Sequence, residues 1–335
     1  MISNCVDVIF ICLFKKHLYA DVINIILDFF CTNISNANIH EAVQLYESDQ
    51  FKATLKYGLI DFWKTNKVTN MHALFENSEM NFNVNLWDVS NVIVMSYMFR
   101  CAESFNQPLN LWNTSNVIDM NSMFCGAKSF NQPLNLWNTS NVIDMSRMFL
   151  CAMLFDQPLD NWNVSNVNNM NSMFNNAKSF NQSLNKWNVS NVKYMSWMFD
   201  DAKTFNQSLE KWNVSNVENM KGMFCNAESF NQPLNDWNVS NVKNMQSMFC
   251  GAKTFNQPLN NWKTFNVIDM NWMFCEANLF NQPLNDWNVS NVKNMKCMFH
   301  NAKSFNQPLN DLNVSNVKYI NVKSFDQSLE FYNVH

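Results

Sequence analysis

Cys125, Cys225, Cys250 and Cys275 are separated by multiples of 25 residues, and the last three are consecutive at that interval. Thiols in register invite two kinds of chemistry, disulfide formation and soft-metal binding. Zinc sites take their ligands in close pairs two to four residues apart, and no CxxC pair occurs in the chain. One thiol per 25 residues reads better as a column of small half-buried side chains. Methionines recur in pairs from Met95/Met98 to Met295/Met298. Thioethers suit Cu(I), but these lie at helical spacing among Phe and Ala, where Met fills a core. The five histidines, His17, His40, His72, His300 and His335, share no repeat position. Asp119, Asp144 and Asp269 do share one, and read as solvated acids at a helix start, beside the dipole. No nucleophile motif, phosphate-cradling glycine loop or ligand set appears, so the expectation is a non-enzyme with no cofactor and no metal.

N-x-S/T occurs at Asn113, Asn138, Asn163, Asn188, Asn213, Asn238, Asn288 and Asn313. In a secreted chain these are glycosylation acceptors. Their position between two inward residues predicts instead an outward asparagine ladder, with amides stacked about 5 Å apart on adjacent rungs.

These residues are positioned by a period. Trp87, Trp112, Trp137, Trp162, Trp187, Trp212, Trp237, Trp262 and Trp287 are 25 residues apart without an insertion, and Leu312 takes the next slot. A sustained period of this length marks a solenoid, since a propeller blade needs about 40 residues. One unit reads W-N-V-S-N-V-x-x-M-x-x-M-F-x-x-A-x-x-F-N-Q-P-L-x-x. From Leu234 to Val239 the pattern L-x-x-W-x-V predicts a short strand. Met245, Met248, Phe249 and Ala252 are spaced as one face of a short helix, with Ser240 as its N-cap and a capping box from Ser215 to Glu218 in the preceding copy. The expected fold is therefore an α/β repeat solenoid, leucine-rich-repeat-like, in which each coil carries one parallel strand and one helix. The expected organisation is an N-terminal helical segment (1–36), a leader with a degenerate first repeat (37–86), nine repeats (87–311) and a truncated C-terminal cap (312–335).

The repeat resembles the BspA-like leucine-rich repeat, a former domain of unknown function found in bacterial surface proteins, mycoplasmas, algae and large DNA viruses. The segment from Ile39 to Phe75 is similar to the leader before the first repeat in that family. The resemblance implies a right-handed solenoid and a role in protein binding or adhesion. Residues 18–30, LYADVINIILDFF, also resemble the opening of an F-box, which implies a ubiquitin-ligase adaptor; a small amphipathic helix is the alternative.

Bulk composition excludes other classes. Charged residues make up 15% and the net charge is −4, so no basic stripe exists for a nucleic-acid backbone. The apolar run at residues 8–14 is too short to span a bilayer. It is preceded by Asp7 and followed by Lys15 and Lys16, the reverse of a signal peptide. An intracellular chain is expected over a secreted one.

If the constant columns build the rod, the variable ones carry recognition. The slot before each Trp reads Leu111, Leu136, Asn161, Lys186, Lys211, Asp236, Asn261, Asp286, Asp311. It passes from apolar to basic to acidic, a gradient that can set the register of an extended protein partner. At residues 262–267, WKTFNV, Lys263 replaces the ladder Asn and Phe265 the capping Ser, an aromatic and a cation introduced together as in a hot spot. Trp197 and Trp272 are expected near a helix-side surface as a second contact, or as local repacking.

Overall fold

The computed structural model describes residues 33–309 and 312–318. The expected helical segment and F-box-like stretch lie almost wholly outside these residues, as do Asp311 and most of the expected C-terminal cap. Strand β1 (Asn33–Ser35) pairs in parallel with β2 (Lys64–Lys67). Between them come helices α1 (Ile39–Ser48) and α2 (Gln50–Tyr57) and a 3-10 turn at Ile60–Phe62. In α1 the buried residues Ile39, Ala42, Val43 and Tyr46 form one face, the i, i+3, i+4, i+7 stripe that a helix needs to pack on a core. Asp49 starts α2 by accepting from the Lys52 N–H at 2.9 Å. Tyr46 meets Trp63 and Phe82 edge-on, at 6.0 and 5.4 Å between ring centres.

From Val68 onward the chain is a tandem solenoid whose coils contain neither the strand expected at 234–239 nor the helix expected at 245–252. The apolar spacing read as a helix belongs to a ribbon of turns. In the first full coil the N–H groups of Met98, Arg100 and Ala102 bond three residues back, to Met95, Tyr97 and Phe99. The alternate N–H groups, of Met95, Tyr97, Phe99 and Cys101, bond the next coil, to the carbonyls of Asp119, Asn121, Met123 and Cys125. Tyr97 and Cys101 have φ of 61° and 55°, which is the third-position signature of type II turns. The ribbon wins because a helix this short gains few internal bonds after a costly nucleation, whereas a neighbouring coil satisfies every second N–H. The coils are joined by single parallel bridges running from Asn70↔Val94 to Asp269↔Asn294, one residue ahead of each first Met rather than at the Trp.

The core is a set of ladders. Phe75, Phe99, Phe124, Phe149, Phe174, Phe199, Phe224, Phe249, Phe274 and Phe299 stack in sequence at 5.3–5.7 Å with planes within 10°. A second ladder from Phe105 to Phe305 packs against the first at about 4 Å. The indole N–H of each repeat-core tryptophan is bonded as well. From Trp112 to Trp287 the Nε1 donates to a carbonyl 28 residues earlier at 2.8–3.1 Å, for example Trp137 to Leu109. Burying a tryptophan without that acceptor is expensive. Here the polar atom becomes an inter-coil tie.

The asparagines also tie coil to coil, but differently from the expected ladder. The N-x-S/T column does not stack. Its side-chain oxygens accept from the N–H two residues on, as Asn113 does from Ser115 at 3.2 Å, an Asx turn inside one coil. Ser240 is part of such a turn, bonded to Asn238, and caps no helix. The true ladders lie in two other columns. The Nδ2 of Asn116, Asn141 and Asn166 each reaches the preceding coil's serine carbonyl at 2.7 Å. In the F-N-Q segments the Oδ1 of Asn106 accepts from the Asn131 N–H and the Gln132 Nε2, both at 3.0 Å. Asp119, Asp144 and Asp269, expected as helix-start acids, are half-buried acceptors for the N–H two residues on, at 2.7–2.9 Å.

Candidate functional site

Because the coil interior is nearly invariant, its exterior varies only in a few columns. One groove of about 1020 Å³ opens on the first coils. One wall is the asparagine row Asn91, Asn116, Asn141 and Asn166, and the other is Ile93, Ile118 and Ile143. Lys67, Thr69 and Asn66 close its N-terminal end. The asparagine row is uniformly oriented, because every Nδ2 is held by the preceding coil. Its amide oxygens therefore form a row of acceptors with no partner among the described residues. The three isoleucines are 39–46% exposed.

The slot before each Trp places Leu111 and Leu136 outward, at 61% and 69% exposure, with Leu86 beside them in the same column. Over the first seven coils that slot and the isoleucine slot change character together, and only the eighth pairs a polar Asn261 with Ile268. They read Leu86/Ile93, Leu111/Ile118 and Leu136/Ile143, then Asn161/Asn168, Lys186/Lys193, Lys211/Glu218 and Asp236/Lys243. Two columns seven residues apart in the chain are apolar on the same three coils and polar on the next four.

A model of the family described as Mycoplasma protein of unknown function, DUF285, matches residues 44–160, 151–257 and 228–334. The chain belongs to the DUF285 family. No curated protein matches it. The tandem DUF285 repeats and their aromatic ladders make the molecule a repeat solenoid, and among the described residues no helix is long and apolar enough to cross a membrane.

In this DUF285 solenoid the sequence-derived site residues are dispersed. Lys186 is paired with Asp160 of the preceding coil at 2.7 Å. Lys211, Asp236 and Asp286 are exposed, and none of the expected recognition residues lines the groove. Lys263 removes the Asx acceptor from its coil, and Phe265 stands 42% exposed with Ile268 nearby in the chain at 44%. The Phe265 carbonyl still receives Asn291 Nδ2 at 2.7 Å, so the backbone ladder passes through the substitution intact. Trp197 and Trp272 sit on no helix. Both occupy the left-handed turn position, with φ of 59° and 58°. Trp197 is half-buried over the next coil, and Lys221 Nζ lies 5.6 Å from its ring centre. Trp272 meets His300 edge-on at 6.2 Å.

Sequence reasoning missed the isoleucine column and its asparagine wall. The signal was present as V-I-D at 117–119 and 142–144, where Ile follows a buried Val. Only the turn at each S-N-V shows that this Ile leaves the core.

Among the described residues no cluster of three His, Cys, Asp or Glu side chains could hold a metal ion. Burial pushes the Cys125 thiol up to about 11. Burial also raises the Asp200 carboxyl above its ordinary range. Exposed rungs carry ion pairs between neighbouring coils, such as Glu218 with Lys243 at 2.7 Å and Glu228 with Lys253 at 3.1 Å. Such pairs contribute little stability at a solvated surface.

Proposed function

We propose that the chain is a non-enzymatic, BspA-like protein-interaction scaffold whose binding surface is the groove on its first three full coils. The observation that carries this reading is the exposed row Ile93, Ile118 and Ile143 lining the groove, with Leu86, Leu111 and Leu136 exposed outside it on the same coils. Exposed aliphatic residues scattered singly need no explanation, but a row of them lining one groove and facing a polar wall marks an interaction site. The occupant is an extended protein segment with apolar side chains. Four rungs, three intervals of about 4.8 Å, give a floor of roughly 14 Å, room for about four extended residues. The oriented asparagine oxygens accept from its N–H groups, and the charged coils beyond Asn168 set where it stops.

Panning a random peptide display library on the full chain tests this. Enriched sequences should be aliphatic-rich and should lose binding to an Ile93→Lys/Ile118→Lys/Ile143→Lys variant of unchanged melting temperature. Absence of enrichment, or equal capture by the variant, overturns the reading. The Phe265 coil is the control: Phe265→Ser leaves the same peptides bound.

A surface-displayed adhesin is the second reading, favoured by the exposure of the N-x-S/T asparagines from Asn113 to Asn313. The intact mass of protein from its native source separates the two, because added sugar mass supports the adhesin. The F-box-type adaptor reading rests on residues 18–30, and co-purification of ligase scaffold proteins is its test.

A further inference from the structure

Cys225, Cys250 and Cys275 occupy one slot in three consecutive coils. The rungs that carry them are locked in register by Asn226 N–H to Cys250 O at 2.6 Å and Gly251 N–H to Cys275 O at 2.7 Å. Neighbouring parallel rungs lie about 4.8 Å apart, inside the span that a disulfide bridges between α-carbons, roughly 4.4–6.8 Å. All three are free thiols, Cys225 and Cys275 buried and Cys250 partly open. Cys250 is the middle member of the three, flanked by Cys225 and Cys275 in the coils on either side, and Asp200 holds the same slot one coil before Cys225. The packing role common to the other columns explains none of this, since the same slot holds Leu150, Asn175 and His300 elsewhere.

We propose that Cys250 is a thiol-exchange site that takes a low-molecular-weight disulfide as its oxidant and closes an inter-coil disulfide with Cys225 or Cys275. The Cys250 sulfur attacks one sulfur of the small disulfide, forming a mixed disulfide and releasing one small thiolate. Cys225 or Cys275 then gives up its proton and attacks the Cys250 sulfur, expelling the second small thiolate. Two protein thiols are oxidised to one disulfide, and one small disulfide is reduced to two thiols. The middle position suits this order. Hydrogen bonds from Cys225 and Cys275 hold the Cys250 thiol below its ordinary range, which favours the attacking thiolate. Cys225 is held up by its bond to Cys250, by burial and by Asp200. Burial pushes Cys275 up to about 12. The column has one nucleophile and two resolving thiols, and its product ties adjacent coils covalently.

The test is to incubate the full reduced chain with oxidised glutathione, trap with an alkylating agent and map linkages by tryptic peptide mass. Cys225, Cys250 and Cys275 fall in three separate tryptic peptides, since Lys243 and Lys253 stand between them. The expected result is glutathione on Cys250 at early times, at least about tenfold faster than on Cys125, followed by Cys225–Cys250 or Cys250–Cys275 links that a reductant reverses. Cys250→Ser removes both links, while Cys225→Ser keeps the Cys250–Cys275 link. Each variant is checked for an unchanged melting temperature in reductant. Cys250 reacting no faster than Cys125, or column links persisting in Cys250→Ser, overturns the proposal.

Discussion

The indole of Trp197 fills the space that a β-carbon on Gly222 would need: such an atom would stand 2.0 Å from its Cε3. The two residues hold the same slot in successive coils, and Gly222 has φ of 59°. Gly222→Ala therefore meets both a ring and a left-handed backbone, and its melting temperature should fall by the equivalent of about 1–3 kcal/mol. In a Trp197→Ser background the ring is gone, and only the backbone cost of about 1 kcal/mol remains. Ser already occupies this slot at positions 122, 172 and 247 with positive φ. Thermal unfolding of the four proteins in the cycle measures the coupling, and equal losses in both backgrounds would remove Trp197 from contact with Gly222.

Trp237 separates packing from tethering. Trp237→Ala loses a buried aromatic and should cost about 3–5 kcal/mol. Trp237→Phe keeps most of the apolar area and loses the Nε1 bond to Leu209 O at 3.0 Å. The cost of Phe should be far smaller, about 1 kcal/mol, because Leu209 O keeps the Trp212 N–H. Denaturant melts that rank the two variants equally would sink the packing account.

Asn131 tests the true amide ladder. Its Oδ1 accepts from the Asp156 N–H and the Gln157 Nε2, both at 3.0 Å. Asn131→Ala strands a half-buried N–H and should cost about 1–3 kcal/mol. Asn131→Asp should be nearly silent, because Asp156 already does the same work for Asn181 and Gln182 at 2.9 Å. Amide protection of residue 156 in hydrogen exchange reads the effect locally.

Asp200 gives a pH signature. Burial raises its carboxyl above the ordinary 3.8, so the folded chain holds that proton more tightly than the unfolded one. Stability from this group is present below the ordinary value and is lost as pH rises through the raised one. Asp200→Asn should therefore raise the melting temperature at neutral pH, and the gain should shrink to nothing as the pH falls below 3.8. A gain that is constant with pH would show that titration is not its origin.

Much of this could be read from spacing. The step of 25 between Trp87 and Trp287 places the tryptophans in one column, and the inward set Val, Met, Met, Phe, Ala, Phe and Leu follows from apolar recurrence alone. In the structure the members of that set on the coils from Trp87 to Trp262 are buried. A side chain that recurs at every coil and cannot face water must face its own copies.

Tertiary structure alone decided how the backbone runs between those contacts. Met245, Met248, Phe249 and Ala252 point inward equally well from a helix or from a ribbon of turns, so their spacing does not separate the two. The choice depends on bonds such as Met245 N–H to Asp269 O, whose partners are a full coil apart and leave no local trace. The same holds for the asparagines. Asn238 and Asn241 look alike in N-V-S-N, yet one closes its own turn and the other reaches Ser215 O in the previous coil. The period is a local property of the chain and can be counted. The partners of its polar atoms are set by stacking, and exist only once the next coil is in place.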